Sequence, residues 1–85
     1  MKIYKTKHWT VQAIQYTGDN INAIYHWADS DQHFVDRAGR DVIRPPHQEN
    51  IRFSAGDFIV KNEHGYISAL PADVFERHYE PYNEE

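Results

Sequence analysis

Two five-residue runs rich in strand-forming side chains, Phe58–Asn62 and Tyr66–Leu70, stand on either side of Glu63-His64-Gly65. Three residues ending in glycine have the composition of a hairpin loop, because glycine takes the left-handed backbone conformation that such a loop requires. The matched runs therefore commit this part of the chain to an antiparallel pair. An acid beside an imidazole also suggests chemistry, but a loop tip fixes its side chains too loosely for catalysis. The cluster reads as punctuation.

A sheet that starts here must find its core within 85 residues and without a cysteine. A chain of this size buries only about 60 % of the surface that its unfolded form exposes. Disulfides, thiolate metal sites and a cysteine nucleophile are excluded. No internal repeat or Gly/Ser linker divides the sequence, so residues 1–85 are expected to form a single domain. The start lacks the apolar stretch of a signal peptide, and no apolar run approaches the roughly 18 residues of a membrane span.

Other elements follow from periodicity. His8–Tyr16 alternates as a strand does, with Trp9, Val11 and Ala13 on one side. Asp19 or Asn20 is placed to cap a helix starting at Ile21, whose apolar stripe is Ile21, Ile24, Tyr25 and Ala28. His26 falls opposite that stripe and Trp27 on its flank. The helix should end near Asp29–Asp31, a polar stretch of poor helix propensity. His33–Asp36 and Arg40–Arg44 flank an Arg37-Ala38-Gly39 turn; Pro45 and Pro46 stop the pairing, and Glu49–Phe53 alternates again. Pro71 suits the first position of a short helix carrying Val74, Phe75 and Tyr79 on one face, and Pro81 closes it. The expected fold is α+β: a small antiparallel sheet of four to five strands, one helix after the first strand and a short C-terminal helix.

The formal net charge of −4 argues against general nucleic-acid binding. Yet Arg37, Arg40, Arg44 and Arg52 fall within sixteen residues. Guanidinium groups grip phosphate or carboxylate in two-pronged fashion, so Arg40, Arg44 and Arg52 with His47 are candidates for an anion pocket. On a strand over Arg40–Arg44, Arg40, Val42 and Arg44 share a face. The competing expectation is that Asp36, Asp41 and Glu49 pair with these arginines on a solvated surface.

Of the twelve aromatic side chains, eight are Tyr or Trp, types that keep one end wet and are enriched at binding surfaces. A core this small cannot hide all of Tyr4, Trp9, Tyr16, Trp27, Tyr66 and Tyr82. Trp9, Tyr16, Trp27 and Tyr66 are accordingly candidate interface residues, toward a second copy or another protein. The six histidines show neither His-x-His nor His-x-x-x-His spacing. A metal site could only be assembled from distant elements, with Asp31, His33 or Asp36 as ligands, and none is assigned. No nucleophile elbow, Ser-x-x-Lys pattern or phosphate loop occurs, so no catalytic residue and no cofactor is assigned either.

The stretches "VQAIQYTGDN" (Val11–Asn20), Gly56–Val60 with Gly65, and Pro71–Pro81, "PADVFERHYEP", resemble a set of small bacteriophage and prophage proteins. That set shares a Gly-Asp-aromatic-Ile strand and a Pro-x-x-Val/Ile-Phe-Glu-x-x-Tyr-Glu-Pro ending. The match covers about half of the chain, and Asp29–Glu49 has no counterpart. The resemblance implies a context, an accessory protein in the cytoplasm of an infected bacterium, and no catalytic residue. The expectation is a non-enzymatic protein that inhibits or sequesters a host protein or a small anionic nucleotide signal. A small enzyme degrading such a nucleotide, and a minor virion or assembly component, are the alternatives.

Overall fold

The hairpin that dominates the sequence forms in the computed structural model, which describes residues 2–5 and 10–81. Strand β6 (Phe58–Lys61) pairs antiparallel with β7 (Ile67–Leu70), Phe58 opposite Leu70 and Lys61 opposite Ile67. Gly65 takes φ +82°, and the Asn62 carboxamide oxygen accepts from the backbone N–H groups of His64 and Tyr66, both at 2.9 Å. Strands β3 (His33–Val35) and β4 (Asp41–Ile43) repeat the device. There Asp36 accepts from the N–H groups of Ala38 and Arg40 at 2.9 and 3.0 Å, and Gly39 has φ +81°. In both turns an Asx side chain supplies the acceptor and a glycine three residues later supplies the left-handed bend.

The remaining elements are β1 (Lys2–Lys5), β2 (Thr10–Gln15), α1 (Ile21–Trp27), β5 (Ile51–Phe53), α2 (Ala72–His78) and β8 (Glu80–Pro81). The fold is α+β, as expected, but its strands divide between two antiparallel sheets, ordered β7-β6-β2-β1-β8 and β3-β4-β5. Strand β1 is too short to show a period, and β8 is a two-residue extension in which Pro81 lies opposite Tyr4. The expected strands shorten at their polar ends: Glu49 and Asn50 lie outside β5, and Arg40 and Arg44 flank β4.

The larger sheet is apolar on both faces, which makes it the middle layer. On one face Val11, Ala13, Phe58 and Val60 pack under Phe75 of α2, with Tyr4, Leu70 and Tyr79 around them. On the other, Ile59 and Ile67 meet Ile24 of α1, its C-cap Ala28, and Ile43 and Phe53 of the smaller sheet. Ile24, Ile43 and Ile59 are completely buried, each burial stabilising the fold by about 1.5–3 kcal/mol.

Helix α1 starts at Ile21 as the stripe predicts, with Asn20 at the N-cap position, but the Asn20 side chain makes no cap bond to the helix. Instead Asn20 staples the preceding loop, accepting from the Thr17 N–H at 2.9 Å and donating to the Gln15 carbonyl at 2.9 Å. At the other end the N–H of Ser30 reaches the Tyr25 carbonyl and that of Asp29 the His26 carbonyl, with Asp29 at φ +53°. This is a Schellman cap with aspartate where glycine is usual. Lys61 closes it by donating to the Trp27 carbonyl at 2.6 Å. Asp29→Gly should therefore raise stability by about 1 kcal/mol, because it relieves the left-handed strain and removes a negative charge from a helix C-terminus. Denaturant titration reads the change.

Candidate functional site

The smaller sheet ends at β3, and α1 lies beside it. Between the two runs a cleft of about 600 Å³, lined by Asn22, Tyr25 and His26 of the helix and by Asp31, Gln32, His33 and Phe34. Its volume lies within the range of small-molecule sites. The lining combines rings with amides: the Tyr25 and His26 rings meet edge to face at 5.3 Å, and Asn22 and Gln32 carry donors and acceptors.

His33 is held from behind. One nitrogen, Nε2, lies 2.9 Å from Oδ1 of Asp41. Asp41 sits on the neighbouring strand, and the same carboxylate faces the hydroxyl of Tyr16. Burial, and then the negative Asp41, push the Tyr16 phenol up to about 12. A carboxylate only accepts, so His33 faces Asp41 as a donor through Nε2, and Nδ1 is its second ring nitrogen.

The arginines meet two acids at opposite ends of β3. Beyond its C-terminal end, Asp36 receives Arg40 at 3.4 Å and Arg52 at 3.5 Å. Before its N-terminal end, Asp31 accepts two bonds from Arg44, at 2.7 and 2.8 Å. Arg40 and Arg44 are four residues apart along β4, roughly 13 Å at a strand's rise. His47 is exposed in the turn after Pro46, at φ +61°, and has no ion pair among the described residues. The four candidate anion ligands are thus not gathered around one point. Only Arg44, through Asp31, reaches the rim of the cleft.

These pairs carry a pH signature. Arg44 holds the Asp31 carboxyl below its ordinary value. Backbone N–H bonds from Arg40 and Ala38, and then the Arg40 and Arg52 charges, lower Asp36. A carboxyl lowered in the folded state stabilises the fold above its unfolded value, near 3.8, and loses that contribution as pH falls through the folded value. The thermal midpoint should therefore drop as pH falls below about 4, and Asp31→Asn with Asp36→Asn should flatten that drop.

The candidate interface aromatics separate. Tyr16 is a core residue, 5 % exposed, its ring edge-on to Phe53 at 5.0 Å; it is not available to a partner, because β2 ends where the smaller sheet and α1 close over it. Trp27 is half-buried under Lys61, whose ammonium stands 4.6 Å from the ring centroid. Tyr66 is 55 % exposed. Trp9 lies outside the described residues. Tyr4 covers Phe75 edge-on at 4.8 Å. Glu63 and His64 stand exposed at the hairpin tip, 3.5 Å apart.

Asp31, His33 and Asp36, considered as metal ligands, have separate partners, and no group of three such ligands gathers among the described residues. No described helix is long and apolar enough to cross a membrane. No family model, curated protein or solved structure matches the chain.

Proposed function

We propose that this is a phage-type accessory protein that binds and sequesters a small nucleotide signal in the α1–β3 cleft. The observation that carries this reading is the cleft's lining, in which aromatic faces adjoin two carboxamides with Arg44 at the rim. A planar base stacks on such rings, and Asn22 and Gln32 offer the donor and acceptor pairs that read its edge. The phosphate falls to Arg44. Its bond to Asp31 is exposed, and such pairs contribute under about 1 kcal/mol, so an incoming phosphate displaces Asp31 at small cost.

The His33–Asp41 contact favours a second reading, an enzyme that hydrolyses the same signal with Nδ1 of His33 as general base. One experiment separates them. The protein is incubated with cyclic mononucleotides and dinucleotides, heat-denatured, and the supernatant resolved by chromatography. Sequestration returns the nucleotide unaltered; hydrolysis returns product, which His33→Ala would abolish.

A further inference from the structure

Sheet edges in small proteins are ordinarily blunted, because an unpaired row of N–H and C=O groups recruits another strand. Among the described residues, both edges of the larger sheet are protected. On β7, the Gln48 carboxamide takes the place of a neighbouring peptide, donating to the Ile67 carbonyl at 2.7 Å and accepting from the Ile67 N–H at 2.9 Å. On the far side β8 is two residues long and contains Pro81. Strand β3 has no such cover. Among the described residues it pairs with β4 alone, carries no proline or lysine, and leaves Phe34 42 % and Val35 58 % exposed.

We infer that β3 is a homodimer interface, pairing antiparallel with β3 of a second copy about a two-fold axis at Phe34. Three independent features agree with this one register. The first is the backbone. Asp36 N–H bonds the Arg40 carbonyl and Arg44 N–H the Gln32 carbonyl, so by alternation Phe34 directs its peptide groups toward β4, while His33 and Val35 direct theirs outward. A second β3 centred on Phe34 sets each outward His33 against an outward Val35, which closes both ladders.

Burial is the second feature. Phe34 and Val35 project from opposite faces of the strand. In this register the two Phe34 rings meet across the axis on one face. On the other face Val35 of each copy lies beside His33 of its mate, next to the cleft, so one pairing covers both exposed apolar side chains.

Charge is the third. Past the strand ends, the same register brings the bend that holds Asp31 of each copy toward the turn that holds Arg37 of the other. Arg37 is exposed and has no ion pair among the described residues. Asp31 accepts two bonds from Arg44, and a carboxylate has about four acceptor sites, so it can take Arg37 as well. The edge is therefore complementary to itself, as a two-fold interface must be.

Light scattering of the full chain should show a dimer. The sequence has no cysteine, so Phe34→Cys introduces a single thiol at the axis, where facing Cα atoms about 4.5 Å apart permit a disulfide. Mild oxidation should cross-link most of this variant, whereas Val35→Cys should remain uncross-linked. Arg37→Glu should weaken the dimer at least tenfold, and Asp31→Lys combined with Arg37→Glu should restore it. A monomer at high micromolar concentration overturns the inference. So does a dimer that Phe34→Cys fails to trap, or one indifferent to Arg37→Glu.

Discussion

Phe75→Ala should remove a large share of the protein's stability and lower its melting midpoint by at least about 12 °C. The ring is 1 % exposed, stacks on Phe58 at 4.0 Å and on Tyr79 at 4.8 Å, and receives the edge of Tyr4 at 4.8 Å. It is the only fully buried side chain that the seven-residue α2 contributes. Deleting a buried phenyl costs about 3–5 kcal/mol through lost transfer energy and the cavity left behind. Small domains hold only about 5–15 kcal/mol in total, and each lost kcal/mol lowers the melting temperature of a domain this size by about 4–8 °C. Circular dichroism melts should show a midpoint at least 12 °C lower, or no cooperative transition. Phe75→Leu, which refills most of the volume, should recover more than half of the loss.

The second large effect concerns binding. If Arg44 holds the phosphate of a nucleotide whose base lies in the cleft, Arg44→Ala removes a charge-assisted contact of about 1.5–3 kcal/mol, or roughly ten- to hundredfold in affinity. The loss should appear for the nucleotide and not for its nucleoside, because the base contacts at Asn22, Tyr25 and Gln32 remain. That ratio distinguishes a phosphate ligand from a residue that merely supports the fold, which would weaken both. Arg40→Ala, whose partner Asp36 lies at the other end of β3, should change neither; calorimetry on nucleotide and nucleoside measures both.

The elements of this fold are legible in the sequence where a local device announces them. The glycine turns after Asp36 and Asn62 and the stripe of Ile21, Ile24, Tyr25 and Ala28 are each written within ten residues and stand where expected, whereas the last helix starts one residue late, with Pro71 as its extended N-cap, and ends before Tyr79, which is extended. What escapes is whatever depends on partners distant along the chain. Strand β1 exists because β2 and β8 flank it, and four residues show no period. Tyr16 looked like surplus aromatic surface because burial by Phe53, thirty-seven positions later, leaves no local trace. The arginine stretch proved misleading for a similar reason: alternation puts Arg40 and Arg44 on one face, but the choice between Asp31 and Asp36 as partner is made by the hairpin, which sends the two guanidinium groups to opposite ends of β3. The cleft itself joins a helix and a strand that are distant in the sequence pattern, with His26 seen only as the residue opposite the stripe. Its one advance sign was that Asp31 and His33 carry chemistry and stand close together in the chain.

Binding in the cleft between α1 and β3 is tested most directly by amide chemical-shift mapping of the labelled chain against the cyclic nucleotide panel. Saturable shifts concentrated at Asn22, Tyr25, His26 and Gln32–Phe34, diminished in Arg44→Ala, are the predicted result. Shifts centred elsewhere, or none with any nucleotide at millimolar concentration, would contradict it.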